Sequence, residues 1–179
     1  MKKIIGILVV MALVVGAIGI VAVLKGRSKP SVVTVGALLI RKDLPTLAKE
    51  ADTIMIGKVV ADLGSGEDAS ETRLSKVYTD YQINAEKFLK NPQASRDIKV
   101  RVAGGKSGDS TVLVEDEAKL TPGERVMLFL SKEKGGRFTV TGFAQGEYEL
   151  KGGMAKNAQN TSEKDEWRLI SEVQAEAAR

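Results

Sequence analysis

The sequence contains no cysteine and no histidine. Without these residues the chain cannot form a disulfide, carry a lipid on cysteine, or build the Ser–His–Asp and Cys–His systems that activate a nucleophile. The usual zinc sites, and most copper and iron sites, also depend on thiolate or imidazole ligands. We therefore expect no metal, no cofactor and no enzymatic activity.

Aromatic residues make up only 4% of the chain, too few for the stacking surface that single-stranded nucleic acid requires. The net charge of +4 is unevenly distributed. Residues 1–43 hold seven basic residues and one acidic residue, a net charge of +6, so the remaining residues carry −2. Because the larger part of the chain lacks a positive surface, we expect no nucleic-acid partner.

One long apolar run follows the N-terminal residues Lys2 and Lys3. From Ile4 to Leu24, 21 consecutive positions carry no charged or strongly polar side chain. A helix of this length spans roughly 30 Å, the thickness of the hydrocarbon core of a bilayer. The pattern predicts a membrane segment at residues 1–29, and its length favours an uncleaved anchor over the alternative, a cleaved signal peptide.

Patterns after residue 29 predict a mainly β domain with two flanking helices. Residues 30–43 read as a basic juxtamembrane linker, with a strand or a packed segment in Ser31–Ile40. Asp43 and Pro45 indicate the start of a short helix at 44–51. Residues 153–160 read as a polar linker, and a C-terminal amphipathic helix is predicted at 162–178, with Trp167, Ile170, Val173 and Ala177 on its apolar face.

The strand signals between the helices predict a small antiparallel barrel at 44–152. Ile98–Val102 alternates apolar and polar residues, and Arg125–Leu130 is apolar on both faces, as in a central strand. The long strand Val77–Leu89 changes phase at Phe88, which predicts a bulge near Glu86 and Lys87. A long, bulged strand fits a five-stranded antiparallel barrel of the oligonucleotide/oligosaccharide-binding (OB) type. Leu63–Ser75, rich in Gly, Ser and acidic residues, is predicted to be a mobile loop.

Two loop regions contain candidate binding residues. Gly104, Gly105, Lys106 and Ser107 look like the end of a phosphate-binding loop, but Val100 stands where the pattern needs glycine. We therefore interpret 104–109, including Asp109, as a flexible loop that either contacts a ligand or is merely solvated. Tyr78 and Asp80, on the strand at 77–89, are the other candidates. Loops on a rigid barrel are common binding sites.

Carboxylates and Ser–Lys pairs are the catalytic groups that remain. Glu115, Asp116 and Glu117 are consecutive, so on extended chain they point in alternating directions, and we interpret them as a solvated turn rather than a cation site. A Ser–Lys dyad requires a buried lysine with a lowered pKa, and no motif indicates one. An envelope hydrolase or peptidase using either kind of group is the alternative function.

Several segments recur together in a known family. They are Ala51–Val59, Tyr78–Tyr81, Phe88–Lys90, Ile98–Val102, Gly104-Gly105, Pro122–Leu130 and Gly142–Gly146. The chain resembles a group of uncharacterised exported bacterial proteins and, over roughly residues 50–150, the netrin-like barrel of tissue inhibitors of metalloproteinases. The resemblance implies a five-stranded barrel with flanking helices. It does not imply inhibition, because those inhibitors chelate the protease zinc through an N-terminal cysteine.

These observations together predict a membrane-tethered, extracytoplasmic and non-enzymatic binding module. Its expected location is the cell membrane as a single-pass protein, or the outside of the cell if the N-terminal segment is cleaved. The expected partners are the membrane, through the N-terminal helix, and an envelope protein or a glycan.

Reporter fusions at Arg179 test this topology. We expect an alkaline phosphatase fusion to be active and a fusion to a fluorescent protein that matures only in the cytoplasm to be dark, because a short tail with Lys2 and Lys3 before a long apolar run is the usual export arrangement. The same fusions to residues 30–179 alone serve as the control and should give the reverse pattern. A bright fluorescent fusion of the full chain with inactive phosphatase would contradict the prediction.

Overall fold

The computed structural model describes residues 30–36, 39–70, 74–159 and 163–178. The chain divides into two compact units, Met1–Ser31 and Val32–Arg179, and the described residues lie almost wholly in the second. Neither α-helix in the described ranges is long and apolar enough to cross a membrane. The predicted span at Ile4–Leu24 lies outside the described residues.

The described part of the chain is mainly β, as predicted. Its elements, in chain order, are β1 (Ser31–Val35), α1 (Leu44–Glu50), β2 (Thr53–Glu67), β3 (Val77–Lys90), β4 (Asp97–Ala103), β5 (Gly105–Ser107), β6 (Ser110–Val114), β7 (Arg125–Lys132), a 3₁₀ turn (Lys134–Gly136), β8 (Phe138–Val140), a second 3₁₀ turn (Phe143–Gly146), β9 (Glu147–Lys151), β10 (Met154–Asn157), β11 (Glu163–Asp165) and α2 (Glu166–Ala177).

The strands form two sheets. The smaller sheet has the order β1-β6-β5, and the larger one has the order β11-β10-β9-β7-β2-β3-β4-β8. Within the larger sheet, β8 also pairs with β7. The pairings β2–β3, β3–β4, β4–β8, β8–β7 and β7–β2 therefore form a closed ring of strand pairings. The expectation of purely antiparallel pairing was wrong at one position. β8 runs parallel to β4, with Val100 opposite Phe138, because β8 pairs with two strands that run in opposite directions.

Strand β7 carries the predicted central position. It lies between β2 on one side and β8 and β9 on the other. Val126, Leu128 and Leu130 face one hydrophobic core, which lies among β2, β3, β4, β7 and β8. Met127 and Phe129 face a second core, which α1, α2, β9 and β10 cover. Alternate residues of one strand therefore contribute to two different cores.

The predicted bulge is confirmed. Gly57 pairs with Ala85 and Ile56 pairs with Lys87, so Glu86 has no partner in β2. The extra residue changes which face the following side chains occupy, which is why Phe88 packs against the first core out of phase with Ile83.

Helix α1 begins and ends where its sequence indicates. The Asp43 carboxylate accepts a hydrogen bond from the Thr46 backbone N–H at 2.9 Å. The Thr46 hydroxyl, and then this backbone contact, lower the pKa of Asp43. At the other end, the Lys90 ammonium donates to the carbonyls of Ala48 and Ala51, both at 2.7 Å. A cation there complements the carbonyls that a helix C-terminus leaves unpaired.

Two predicted coil segments contain strands. Leu63–Glu67, expected in a mobile loop, continues β2 and pairs with β3, with Gly66 opposite Tyr78. The predicted linker at 153–160 contains β10, which pairs with β9 on one side and β11 on the other. Neither segment has a strand-like composition. Backbone hydrogen bonds to a long neighbouring strand make up for the weak propensity of their side chains.

Helix α2 buries most of the predicted face, because Val173 is buried and Ile170 packs against the second core, but the prediction was wrong for Trp167. It begins at Glu166, and Leu169 and Val173 are its buried residues. Trp167 is 63% exposed, and the Arg168 guanidinium lies 5.3 Å from the centre of its ring. A helical period of 3.6 places residues 169 and 173 one above the other and turns residue 167 away from them.

Replacing Leu128 by alanine should lower the free energy of unfolding by about 2–5 kcal/mol, because Leu128 is fully buried in the first core. Leu113→Ala is the matched control. Leu113 is 51% exposed, and its loss should change stability by less than about 0.5 kcal/mol. Urea unfolding of the full chain in detergent measures both. Equal effects of the two substitutions would contradict the assignment of β7 as the shared core strand.

Candidate binding groove

The predicted glycine loop is a short hairpin that packs on the larger sheet. Gly105 to Ser107 form β5, which pairs with β6. The Gly104 backbone N–H donates to the Val77 carbonyl at 2.7 Å, and the Gly104 carbonyl accepts from the Thr79 hydroxyl at 2.9 Å. Gly105 has φ +135°, and a Cβ there would lie 2.3 Å from the Thr79 hydroxyl oxygen. The two glycines therefore have a structural reason to be present.

The polar residues of this hairpin do not converge. Lys106 is exposed, and its backbone N–H donates to the Ser65 hydroxyl at 3.0 Å. The Ser107 hydroxyl donates to the Glu67 carboxylate, and Asp109 is exposed in the turn before β6. None of these residues lines the cavities of about 480, 580 and 230 Å³ elsewhere on the domain.

The other two predicted residues, Tyr78 and Asp80, meet at Arg101. The Asp80 carboxylate accepts from Arg101 Nε at 2.7 Å and from Nη2 at 3.0 Å. The guanidinium carbon lies 3.2 Å from the centre of the Tyr78 ring, and Asp68 Oδ2 lies 3.3 Å from Arg101 Nη1. Burial leaves Arg101 only 6% exposed, and the bond to Asp80 raises the pKa of Arg101. Asp80 was predicted to be on an exposed face, but this ion pair is buried and is already satisfied within the chain.

A groove elsewhere on the domain consists of two adjoining cavities. The first has a volume of about 480 Å³ and the second about 580 Å³. Both cavities are lined by Arg41, Lys42, Tyr148 and Asn157. Leu47 lines the first cavity and Leu44 lines the second. We call this surface the basic groove. It lies between the segment before α1 and the face formed by β9, β10 and α2.

Two buried amides hold the walls of the basic groove in place. The side-chain oxygen of Gln145 accepts a hydrogen bond from the Lys42 backbone N–H at 2.7 Å, and the side-chain nitrogen of Gln145 donates one to the Ile40 backbone carbonyl at 3.2 Å. The Asn157 amide nitrogen donates to three carbonyls, of Ala144, Gln145 and Glu147, at 2.8–3.2 Å. These bonds attach the segment at 40–42 and the 3₁₀ turn at 143–146 to the β9–β10 hairpin. Buried amides that lose such partners are costly, so both walls are firmly positioned.

Sequence reasoning did not find the basic groove. Arg41 and Lys42 were placed in a juxtamembrane linker, and Asn157 in a polar linker. The two segments are more than 100 residues apart, and no local pattern joins them. The signals that pointed here were the Asp43 helix cap, beside the groove, and Tyr148, an aromatic residue that could line a ligand face.

A third cavity, of about 230 Å³, is acidic. Glu147, Glu124 and Glu149 line it, with Lys119 and Lys156. Glu147 is 5% exposed, and its carboxylate accepts from the Lys119 backbone N–H at 2.8 Å. Burial raises the pKa of Glu147, and the negative charges of Glu124, Glu117 and Glu149 raise it further.

Glu117 differs from the solvated turn that was predicted for residues 115–117. It is buried, and its carboxylate oxygens accept from the backbone N–H groups of Ala103 and Ala118, each at 3.0 Å. The carboxylate therefore ties the chain before β7 to the end of β4. Within the described ranges, no group of three acidic residues is arranged to hold a metal ion.

No protein-family model matches the chain, and no curated protein matches it.

Glu147→Gln should make the protein more stable at pH 7 than the parent chain, and the advantage should shrink as the pH falls towards 4. The pKa of Glu147 is raised above its ordinary value of 4.5, so the folded state binds a proton more tightly than the unfolded state. The parent therefore loses stability as the pH rises from 4.5, the ordinary pKa, through the raised pKa of the folded state. Glutamine retains an oxygen to accept the Lys119 N–H without the buried charge.

Thermal unfolding at pH 4, 5, 6 and 7 measures this effect. Glu163→Gln, at an exposed position in β11, is the control and should show no such pH dependence. A Glu147→Gln curve parallel to that of the parent across the whole range would show that the raised pKa is not linked to folding.

Proposed function

We propose that the chain is a membrane-tethered, extracytoplasmic binding module without catalytic activity, and that its ligand occupies the basic groove. The observation that carries the proposal is the pair of adjoining cavities with walls held by buried amides. Ligand sites in proteins are usually preformed concave surfaces of roughly 300–1,000 Å³ with a few placed polar groups. The basic groove fits this description better than the glycine hairpin or the Arg101 ion pair, whose polar groups already bind each other.

The ring of strand pairings supports a finer proposal for the fold. In a five-stranded OB-type barrel, the sheet closes on itself, and loops and an exposed face are left for ligands. We propose that β2, β3, β4, β8 and β7 form such a barrel, similar to netrin-like domains. A barrel of this kind suits a binding protein, although fold alone does not determine function.

The sequence supports the membrane tether. Ile4–Leu24 has the length and the apolar character of a span, and Lys2 and Lys3 precede it. Only six residues separate Leu24 from Ser31, where β1 begins. We propose that the span tethers the domain to the membrane, where the ligand would be an envelope component.

A hydrolase that uses carboxylates is the second candidate. Glu147 favours it, because a buried glutamate with a raised pKa in a cavity has the properties of a general acid. Glu124 or Glu149 would be the second carboxylate. This observation favours carboxylate chemistry over the Ser–Lys alternative, and loss of a hydrolytic activity in Glu147→Gln with retained folding would favour the enzyme over the binding module.

Site-specific photo-crosslinking in cells that express the full chain tests the binding module. We place a benzophenone amino acid at Gln159 in the first cavity and at Lys164 in the second, with Lys99 on β4 as the control position outside the groove. We expect a shared crosslinked product from the two groove positions and its absence at Lys99. The bulky substitution Ala158→Trp, at an exposed residue of the first cavity, should reduce that product.

Two outcomes would argue against the proposal. One is the same set of products from all three positions, which would mean random collision. The other is a groove product that Ala158→Trp leaves unchanged in a protein that remains folded, because a ligand in the cavity cannot avoid a tryptophan placed at its wall.

A further inference from the structure

Two hydrogen-bond donors in the basic groove have no partner among the described residues. The Arg41 guanidinium makes no hydrogen bond or ion pair there, and the Tyr148 hydroxyl makes no hydrogen bond. Both residues line both cavities, so they lie where the two cavities adjoin. Burial and the charge of Glu172 raise the pKa of Tyr148, so its hydroxyl keeps its proton and remains a donor at neutral pH.

The other charged groups of the groove are engaged. Lys42 forms an ion pair with Glu50, and Lys164 forms one with Glu172 at 2.6 Å. Among the acidic residues, Asp43 caps α1, and Asp116 accepts from the Gln159 amide at 2.9 Å. The hydrogen-bond partners of Asp43 and Asp116 are neutral groups, and neither carboxylate forms an ion pair with Arg41. Arg41 is therefore the groove cation without an ion pair among the described residues. A negative group of a ligand would pair with it.

The walls beside Arg41 and Tyr148 are aliphatic. Leu39 and Leu47 line the first cavity, and Leu44, Ala155 and Leu169 line the second. Tyr148 is the one aromatic residue of either cavity, and its ring packs against Phe129 with centroids 6.1 Å apart. Sugars are usually held by the flat faces of aromatic rings, whereas aliphatic walls fit aliphatic side chains. The lining thus favours a peptide over a glycan.

We propose that the basic groove binds a short, extended peptide segment in which an acidic residue lies beside aliphatic residues, and that Arg41 and Tyr148 together receive its carboxylate. The planar guanidinium suits a carboxylate, which it binds through two parallel N–H groups. The two cavities have the size of a site for a few residues. This inference rests on the proposed binding function and names the chemistry of the ligand at that site.

Fluorescence anisotropy with the full chain in detergent micelles tests the proposal. The probe is an acetylated hexapeptide amide of alternating leucine and glutamate, labelled with an uncharged fluorophore, and the reference probe replaces glutamate by glutamine. We expect the glutamate peptide to bind on the order of tenfold more tightly than the glutamine peptide, because hydrogen bonds to charged groups contribute that much. Addition of salt should reduce the difference.

Substitutions in the groove assign the effect to the two donors. Arg41→Gln should remove the preference for the glutamate peptide, and Tyr148→Phe should weaken binding of that peptide about threefold, because the ring remains and the hydroxyl is lost. Lys99→Gln removes an exposed positive charge outside the groove and is the matched control, which should bind both peptides as the parent does. An unchanged preference in Arg41→Gln would overturn the proposal.

Competition and blocking separate the remaining outcomes. Inorganic phosphate at the concentration of the peptide should not displace it, since phosphate cannot contact the aliphatic walls. Equal displacement by phosphate would overturn the peptide assignment in favour of a simple oxyanion site. Weak binding of both peptides, with the groove crosslink still sensitive to Ala158→Trp, would overturn this inference alone. If that crosslink were also insensitive, the proposed function would fail as well.

Discussion

The antiparallel pairing of β2 with β7 is the constraint on which both hydrophobic cores depend. Met55 lies opposite Leu128 in the first core, while Ile56 lies opposite Met127 in the second. A shift of one of the two strands by one residue would transfer the side chains of that strand to the opposite face. Both faces of the paired strands are buried, so such a shift would misplace side chains in both cores at once. This register therefore determines where the helices, β8 and β9 pack.

The basic groove is a consequence of the second core. Tyr148 lies opposite Met127 in the pairing of β7 with β9, and its ring packs against Phe129. Leu47 and Leu169 belong to the same core and also line the groove. The groove is thus an opening at the edge of this core, beside Leu47, Tyr148 and Leu169. The buried amides of Gln145 and Asn157 then hold the edges of that opening, since their lost hydrogen bonds would be costly.

The two buried ionisable groups Arg101 and Glu147 lie in opposite electrostatic surroundings. Arg101 is surrounded by Asp80, Asp68 and the face of Tyr78, so its charge is compensated where water is excluded. Glu147 is buried among other carboxylates, and one backbone N–H offsets only part of the cost. The first arrangement favours the charged form, and the second favours the protonated form. This difference is why the acidic cavity, and not the Arg101 cluster, is the place to look for carboxylate chemistry.

The sequence by itself determined the local and periodic features: the mainly β character, α1 with its Asp43 cap, the central strand β7 and the bulge at Glu86. Each of these depends on neighbouring residues, whose spacing can be read directly. Only the tertiary structure decided that 63–67 and 154–157 form strands, that β8 runs parallel to β4, that Trp167 faces outward, and that Arg41 and Tyr148 line the same cavities. In each of these cases a partner distant in the chain supplies the hydrogen bonds or the packing surface. Local composition does not indicate which distant segment will be that partner, so residues 41 and 148 become one surface only when the chain folds.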